Sequence, residues 1–365
     1  GNTPPVITGL TPSSNGGDVT VDEDDLADGS DTSKESLTQA GSFTISSPDG
    51  IASLTIGGVA FITNGVFTAG SFTTALGNTL TVTAYAADSG VVSYSYTLAD
   101  NETHANADGQ NSLFEDFAVV LTDQDGQVDS NTLSVNIVDD VPDALNDTDS
   151  IAAGGFGPAT GNVITDAAAG DAGDSDTGAD TQGADGAAVS SVTATTAGGA
   201  ATAVSGATVV QGEYGVLTLN PDGSYSYVRD AGTPGGVSDV FSYTLQDGDG
   251  DVDTATLTIA IGNTLPVITG LTPSSNGGDV TVDEDDLADG SDTSKESLTQ
   301  AGSFTISSPD GIASLTIGGV AFITNGVFTA GSFTTALGNT LTVTAYAADS
   351  GVVSYSYTLA DNETH

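Results

Sequence analysis

Apolar residues recur at every second position in short runs along this chain: Leu80, Val82 and Ala84; Tyr94, Tyr96 and Leu98; Phe117, Val119 and Leu121; Leu133, Val135 and Ile137. Period two with one apolar face predicts half-buried strands, and the turn residues between the runs come at the spacing of a two-sheet sandwich. No stretch carries a helical stripe. Further along, Leu217 and Leu219 lead into Asn220-Pro221-Asp222-Gly223, and Tyr225 and Tyr227 lead out, which predicts a hairpin closed by a type I turn. Phe241, Tyr243 and Leu245, then Leu257, Ile259 and Ile261, predict two more strands. Residues 167–186 are too small and too acidic to fill a core and are expected to form a long surface loop.

Residues 262–365 repeat residues 1–104 at an offset of 261, with a single difference, Pro4 against Leu265. Such identity within one chain marks a repeat array rather than a compact enzyme. Pro and clustered acids over 137–147 place a junction between two strand-rich regions. The expected organisation is therefore all-β: a repeat A over 1–140, a different repeat B over 141–261, and a second, truncated A over 262–365. These are read as tandem immunoglobulin-like or cadherin-like β-sandwich modules in a linear array. Three sandwiches end to end would make a rod on the order of 100 Å. The second A stops before the counterparts of Phe117, Val119, Leu121, Leu133, Val135 and Ile137. At roughly 1.5–3 kcal/mol per buried side chain the gross loss is about 9–18 kcal/mol, comparable to the net stability of a domain. Either the natural chain continues, or strands arrive from another molecule head to tail.

Charge changes the picture. With 49 acidic residues against Lys34, Arg229 and Lys295, the net charge is −46, which excludes nucleic acid and anionic membranes as partners. An ordered state then requires wide spacing of the acids or outside cations, and Ca2+ is the hard, oxygen-seeking ion that suits carboxylates. The absence of Cys removes disulfides and thiol chemistry, and His104 and His365 are too few for most transition-metal or general-base chemistry. No apolar run approaches the length of a membrane span, and the first residues carry no basic leader, as expected for a soluble piece of a longer protein.

Calcium takes six to eight oxygens. Asp139, Asp140, Asp143 and Asp147 at the first junction are expected to supply them together with the loop acids Asp123 and Asp125 and the turn acid Asp100. Asp247, Asp249, Asp251 and Asp253 begin like an EF-hand loop, but the twelfth position is Thr258 and no helices flank it. That loop is instead assigned to the second junction, with Glu284, Asp285 and Asp286 of the following A. The equivalent Glu23, Asp24 and Asp25 would then face a module outside this chain. Alternating tyrosines read as core packing rather than sugar platforms, His104 as a solvated loop residue, and no nucleophile motif or phosphate loop points to an enzyme.

The stretch 212–230 followed by 241–261 resembles the VCBS-type repeat of large bacterial surface proteins. Repeat A, with VDEDDL at 21–26, DGIASLTIGG at 49–58, the segment 104–126 and the closing SVNIVDDVP, is similar to the approximately 143-residue repeats of type I-secreted giant RTX adhesins. Together the two resemblances cover nearly the whole chain. They imply calcium-rigidified immunoglobulin-like extenders outside a Gram-negative cell, contacting neighbouring repeats and holding an adhesive tip away from the surface in biofilm formation. The glycine-rich nonapeptide repeat of such adhesins is absent from this sequence. A carbohydrate-binding module contacting extracellular polysaccharide, or a filament subunit completed by strand exchange with a head-to-tail copy, are the alternatives.

Overall fold

The computed structural model describes residues 3–105, 109–166 and 178–364. The alternating runs are strands, and helical structure among the described residues is limited to four single 3-10 turns. The first A is a two-sheet sandwich. One sheet orders Val6–Thr8, Thr38–Ser46, Val91–Thr97, Thr79–Ala86 and Gly70–Thr73. The other orders Val19–Asp22, Val128–Val138, Ser112–Asp123, Ile51–Ile56, Val59–Thr63 and Val66–Phe67. Leu80, Val82, Val119, Leu121, Leu133, Val135 and Ile137 meet between the sheets, fully buried, because period two turns every second side chain to the same face.

B is a second sandwich with its own core. Asp147–Ile151, Val252–Ile261, Val237–Asp247, Ala187–Ala194 and Thr202–Ala203 form one sheet; Ala159–Asn162, Ser224–Arg229, Gly215–Leu219 and Thr208–Gln211 form the other. The expected hairpin is present: Leu217 pairs with Tyr227 and Leu219 with Tyr225. Gly223 N–H closes the turn on Asn220 O at 3.0 Å, with Gly223 at φ +82° where other residues are strained. Of the surface loop expected at 167–186, residues 167–177 lie outside the described residues. The rest of that stretch is not a surface loop: Thr181, half-buried, exchanges backbone hydrogen bonds with Asp143 at 2.9 and 3.0 Å, and Gly183 and Ala184 are buried.

With so few cations, the sandwiches satisfy interior carboxylates with hydroxyl and amide donors. Tyr96 donates to Glu115 at 2.7 Å, Tyr225 to Asp149 at 2.9 Å and Tyr227 to Asp239 at 2.7 Å. Asp239 also accepts from the backbone N–H groups of Glu213 and Tyr214, both at 2.9 Å. Burial first, and these carboxylates after it, push the hydroxyls of Tyr96 and Tyr227 far above the usual phenol range, so both remain donors. The tyrosines are core residues, as their alternation indicates.

The two A copies show how far a partner strand decides local structure. In the first copy Val19–Asp22 runs parallel to the end of Val128–Val138. In the second copy the identical residues 280–283 form no strand. The facing sheet shrinks to Ser314–Ile317, Val320–Thr324 and Val327–Phe328. Ile268 is 56% exposed where its counterpart Ile7 is 5% exposed. An apolar trough of about 400 Å3, lined by Leu271, Val280, Leu315, Leu341 and Tyr357 among others, runs where the first copy holds Ser112–Asp123 and Val128–Val138.

Candidate metal centre between the first A and B

Strand direction decides which acids meet. Ser112–Asp123 and Val128–Val138 pair antiparallel over their length, with Ser112 opposite Val138 at one pole and Thr122 opposite Val128 at the other. Asp139 and Asp140 follow Val138 and lie at the pole facing B. Asp123 and Asp125 lie at the opposite pole, about 35 Å away along the strands, where Asp123 Oδ1 accepts from the N–H groups of Asp125 at 3.0 Å and Gln127 at 2.8 Å. They cannot share an ion with Asp139. Asp100 is exposed and accepts from its neighbour Asn101 at 3.1 Å. Asp147 is buried inside B, accepting from the Tyr243 hydroxyl at 3.1 Å.

The acidic loop Asp247–Asp253 also changes sides relative to the sequence assignment. Val237–Asp247 and Val252–Ile261 pair antiparallel with Val237 opposite Ile261, so their connecting loop lies at the B pole facing the first A, remote from residue 262. Glu23 reaches the same joint because the parallel strand Val19–Asp22 ends beside Val138. Glu284 and Asp285, in the same position of the second copy, therefore point away from B. Glu23 faces B; Glu284 does not.

Two groups of ligand atoms, each within 4.8 Å of one another, share Asp139: Glu23 with His104 and Asp139, and Asp139 with Asp185 and Asp249. The first group comes from A alone and the second spans both sandwiches. Further bonds cross the joint. His104 N–H donates to Asp249 Oδ2 at 2.8 Å and Gly109 N–H to Asp251 Oδ1 at 2.6 Å. Asn101 donates to Asp185 Oδ1. Asp140 accepts from Ser30 N–H at 2.8 Å on one side and Ala184 N–H at 3.0 Å on the other, and Ala184 itself packs into the first core.

Among the described residues, Glu23 Oε2, Asp139 Oδ1, Asp185 Oδ2, Asp247 Oδ2 and Asp251 Oδ2 are buried without a hydrogen-bond partner. Glu23 and Asp139 are 0% exposed and Asp251 is 4% exposed. Unpaired buried carboxylate oxygens are costly unless a cation or proton compensates them. Burial pushes Asp139 up to about 7, against the pull of His104. It likewise pushes Asp185 up to about 6, against its hydrogen bond from Asn101. Beside the cluster a polar cleft of about 580 Å3, lined by Ser30, Asp140, Asp143, Asp251 and Asp253 among others, opens a path to solvent.

His104 is not the solvated residue its polar surroundings suggest. It is 6% exposed, and its ring sits 3.2 Å from Glu23 and 3.2 Å from Asn111 Oδ1. Burial disfavours the imidazolium, but the Glu23 and Asp139 carboxylates and the hydrogen bond to Asn111 together outweigh that and lift its pKa to about 9. His104 is thus a resident positive charge at the rim, one against several acids. The remaining donors are all oxygens, which suits a hard cation such as Ca2+ far better than zinc or copper. Asp24 stays at the same pole, half-buried, its carbonyl accepting from Lys34 Nζ at 2.7 Å. Asp185 escaped the sequence reading because the whole of 167–186 reads as surface loop, and His104 because its polar segment reads as solvated.

No protein-family model matches the chain. No curated protein matches it either. Among solved structures it is similar to a bacterial ice-binding adhesin, 15% identical, with 98% of each chain covered and a TM-score of 0.22. It is also similar to the extracellular cadherin domains 1–4 of protocadherin gamma B7, 9% identical over 94% of this chain and 66% of that one, TM-score 0.28. A third is the Ig1-2 module of the Drosophila receptor tyrosine phosphatase DLAR, 9% identical over 71% of this chain and 100% of that one, TM-score 0.20. At such scores the functional reading rests on the joint itself.

Proposed function

We propose that the chain is a non-catalytic extender of a bacterial cell-surface adhesin, stiffened by Ca2+ where the first A meets B. The observation that carries this is the set of five unpartnered, buried carboxylate oxygens contributed by both sandwiches to one joint. Glu23 and Asp139 from A and Asp185, Asp249 and Asp251 from B would hold the ion, which supplies the positive charge that converts facing acids into shared ligands. A metal bound by both modules fixes the angle between them. In low intracellular calcium the joint stays loose, and outside the cell it stiffens, since extracellular sites commonly bind with Kd of about 0.1–1 mM. Placement on a Gram-negative cell, type I secretion and a role in biofilm belong to the same proposal and rest on the repeat resemblance.

Calorimetric titration of the full chain with CaCl2, paired with small-angle scattering with calcium and with chelator, tests the reading. Saturable binding with a longer particle in calcium is expected; no binding at 10 mM or an unchanged scattering profile would sink it. Strand exchange between copies is a second reading, favoured by the open apolar trough of the second A, and electron microscopy of concentrated protein would show filaments if it operates. Tyr94, Tyr96, Tyr225, Tyr227 and Tyr243 are buried in cores, so a carbohydrate platform would have to use the half-buried Tyr85, Tyr214, Tyr346 and Tyr357.

A further inference from the structure

The joint between B and the second A carries different chemistry. Arg229, the chain's single arginine, closes the strand Ser224–Arg229 at the B pole facing the second A, and its side chain is 0% exposed. B holds the guanidinium from several sides. Nε donates to Thr233 Oγ1 at 3.0 Å, Nη2 to Thr233 O and Nη1 to Gly155 O at 3.5 Å, while the Phe156 ring centroid lies 5.6 Å from Cζ. Nη2 also crosses the joint to Asp310 Oδ1 at 2.9 Å.

The receiving carboxylate is prepared by A. Asp310 Oδ2 accepts from Thr264 N–H at 2.5 Å. In the first copy Asp49 Oδ2 accepts from Thr3 N–H at 2.8 Å, so the arrangement forms from A's own sequence with no arginine opposite. The approach is close: a Cβ on Gly235 would lie 2.6 Å from Asp310 Oδ2. Among the described residues, none of the groups of acids near enough to share a cation includes Asp310.

We infer that the joint between B and the following A is a metal-free lock, in which the Arg229 guanidinium of B docks into a carboxylate receptor on the N-terminal pole of A. Asp49 presents the same receptor on the first A, so the partner that pole fits is the arginine-bearing end of a B module. The array then alternates an ion-dependent joint with an ion-independent one. This stands independently of calcium at the first joint, because it is tested with calcium removed.

The absence of Cys allows paired labels on the full chain, at Ser205→Cys in B and Ser332→Cys in the second A, read by electron–electron spin distances in excess chelator. A narrow distribution is expected, unchanged on adding calcium. Arg229→Gln and Asp310→Asn should each widen it at least twofold. Asp310→Asn leaves every bond inside B in place, so its widening cannot come from unfolding B. Asp49→Asn, the same change in the first copy, should leave the distribution narrow. A wild-type distribution that is broad in chelator and narrows with calcium overturns the proposal, as does Asp310→Asn with unchanged width or Asp49→Asn with equal broadening.

Discussion

Between the first A and B, carboxylates from both sandwiches face one another and leave five buried oxygens without partners among the described residues; between B and the second A, one carboxylate faces one guanidinium at 2.9 Å. The poles are of similar build, ending in strand termini and tight loops, yet one is incomplete in charge and the other is complete. A chain with three cationic side chains can neutralise few acids from within. Arg229 completes one joint, and on the proposed reading the other would take its cation from solution. B therefore carries an end rich in facing carboxylates and an end that supplies a cation.

Calcium is the strongest lever on this difference. At a free concentration one hundred times Kd, a site bound only in the folded state adds about 2.7 kcal/mol, which for sandwiches of this size raises Tm by roughly 10 °C. Differential scanning calorimetry should show that rise in the transitions of the first A and B. Label pairs across the two joints should diverge, with chelator broadening the first and leaving the second narrow. Equal responses at both would erase the distinction between them.

The duplicated sequence offers a sharper cut. Glu23→Gln removes a ligand from the joint and should weaken calcium binding about tenfold or more, since affinity follows the count of charged ligands. Glu284→Gln, the identical change in the second copy, should leave that affinity within error. Glu284 accepts from Glu363 N–H at 2.6 Å just as Glu23 accepts from Glu102 N–H at 2.7 Å, so both copies make this hydrogen bond and only Glu23 lies at the joint with B. Matching losses in the two variants, measured by calorimetric titration, would place the ion elsewhere.

Gly235→Ala probes the fit of the second joint with a smaller expected effect. The added methyl would stand 2.6 Å from Asp310 Oδ2 and from Gly262 O, so the modules must part by a few tenths of an ångström or more. The B-to-A spin distance should lengthen while Arg229 keeps its bonds inside B. No shift would mean that the two surfaces are held less closely than the structure shows.

The strands were legible because alternation reports directly on burial: Phe117, Val119, Leu121, Leu133, Val135 and Ile137 all lie in the first core. The joints were legible only in part. Grouping acids by nearness along the chain joined Asp123 to Asp139, whereas an eleven-pair antiparallel ladder separates them. The corrective signal was present in the seven-residue loops Asp123–Asp129 and Asp247–Asp253. Both put acids at their first, third and seventh positions before a last strand, so both belong at the N-terminal pole of their module. In each, the first carboxylate accepts from the third and fifth N–H groups. The seventh accepts from the entering segment of its module, Asp129 from Ile7 N–H at 2.8 Å and Asp253 from Ala144 N–H at 2.7 Å. Arg229 had no neighbouring pattern to mark it; its rarity was the only clue.

Acid gives the smallest and most selective test of the second joint. The Thr264 N–H, and after it the Arg229 guanidinium, hold the Asp310 carboxyl below its ordinary value of 3.8. A depressed carboxylate contributes its stabilisation in full above the unfolded value and loses it as pH falls through the lower folded value. The B-to-A distance distribution should therefore stay narrow from pH 8 to about pH 5 and broaden only below about pH 4. Asp310→Asn should be broad throughout and insensitive to pH across that window. Broadening of the wild type already near pH 6 would mean that a group other than Asp310 holds the modules together, and that the arginine is not the lock.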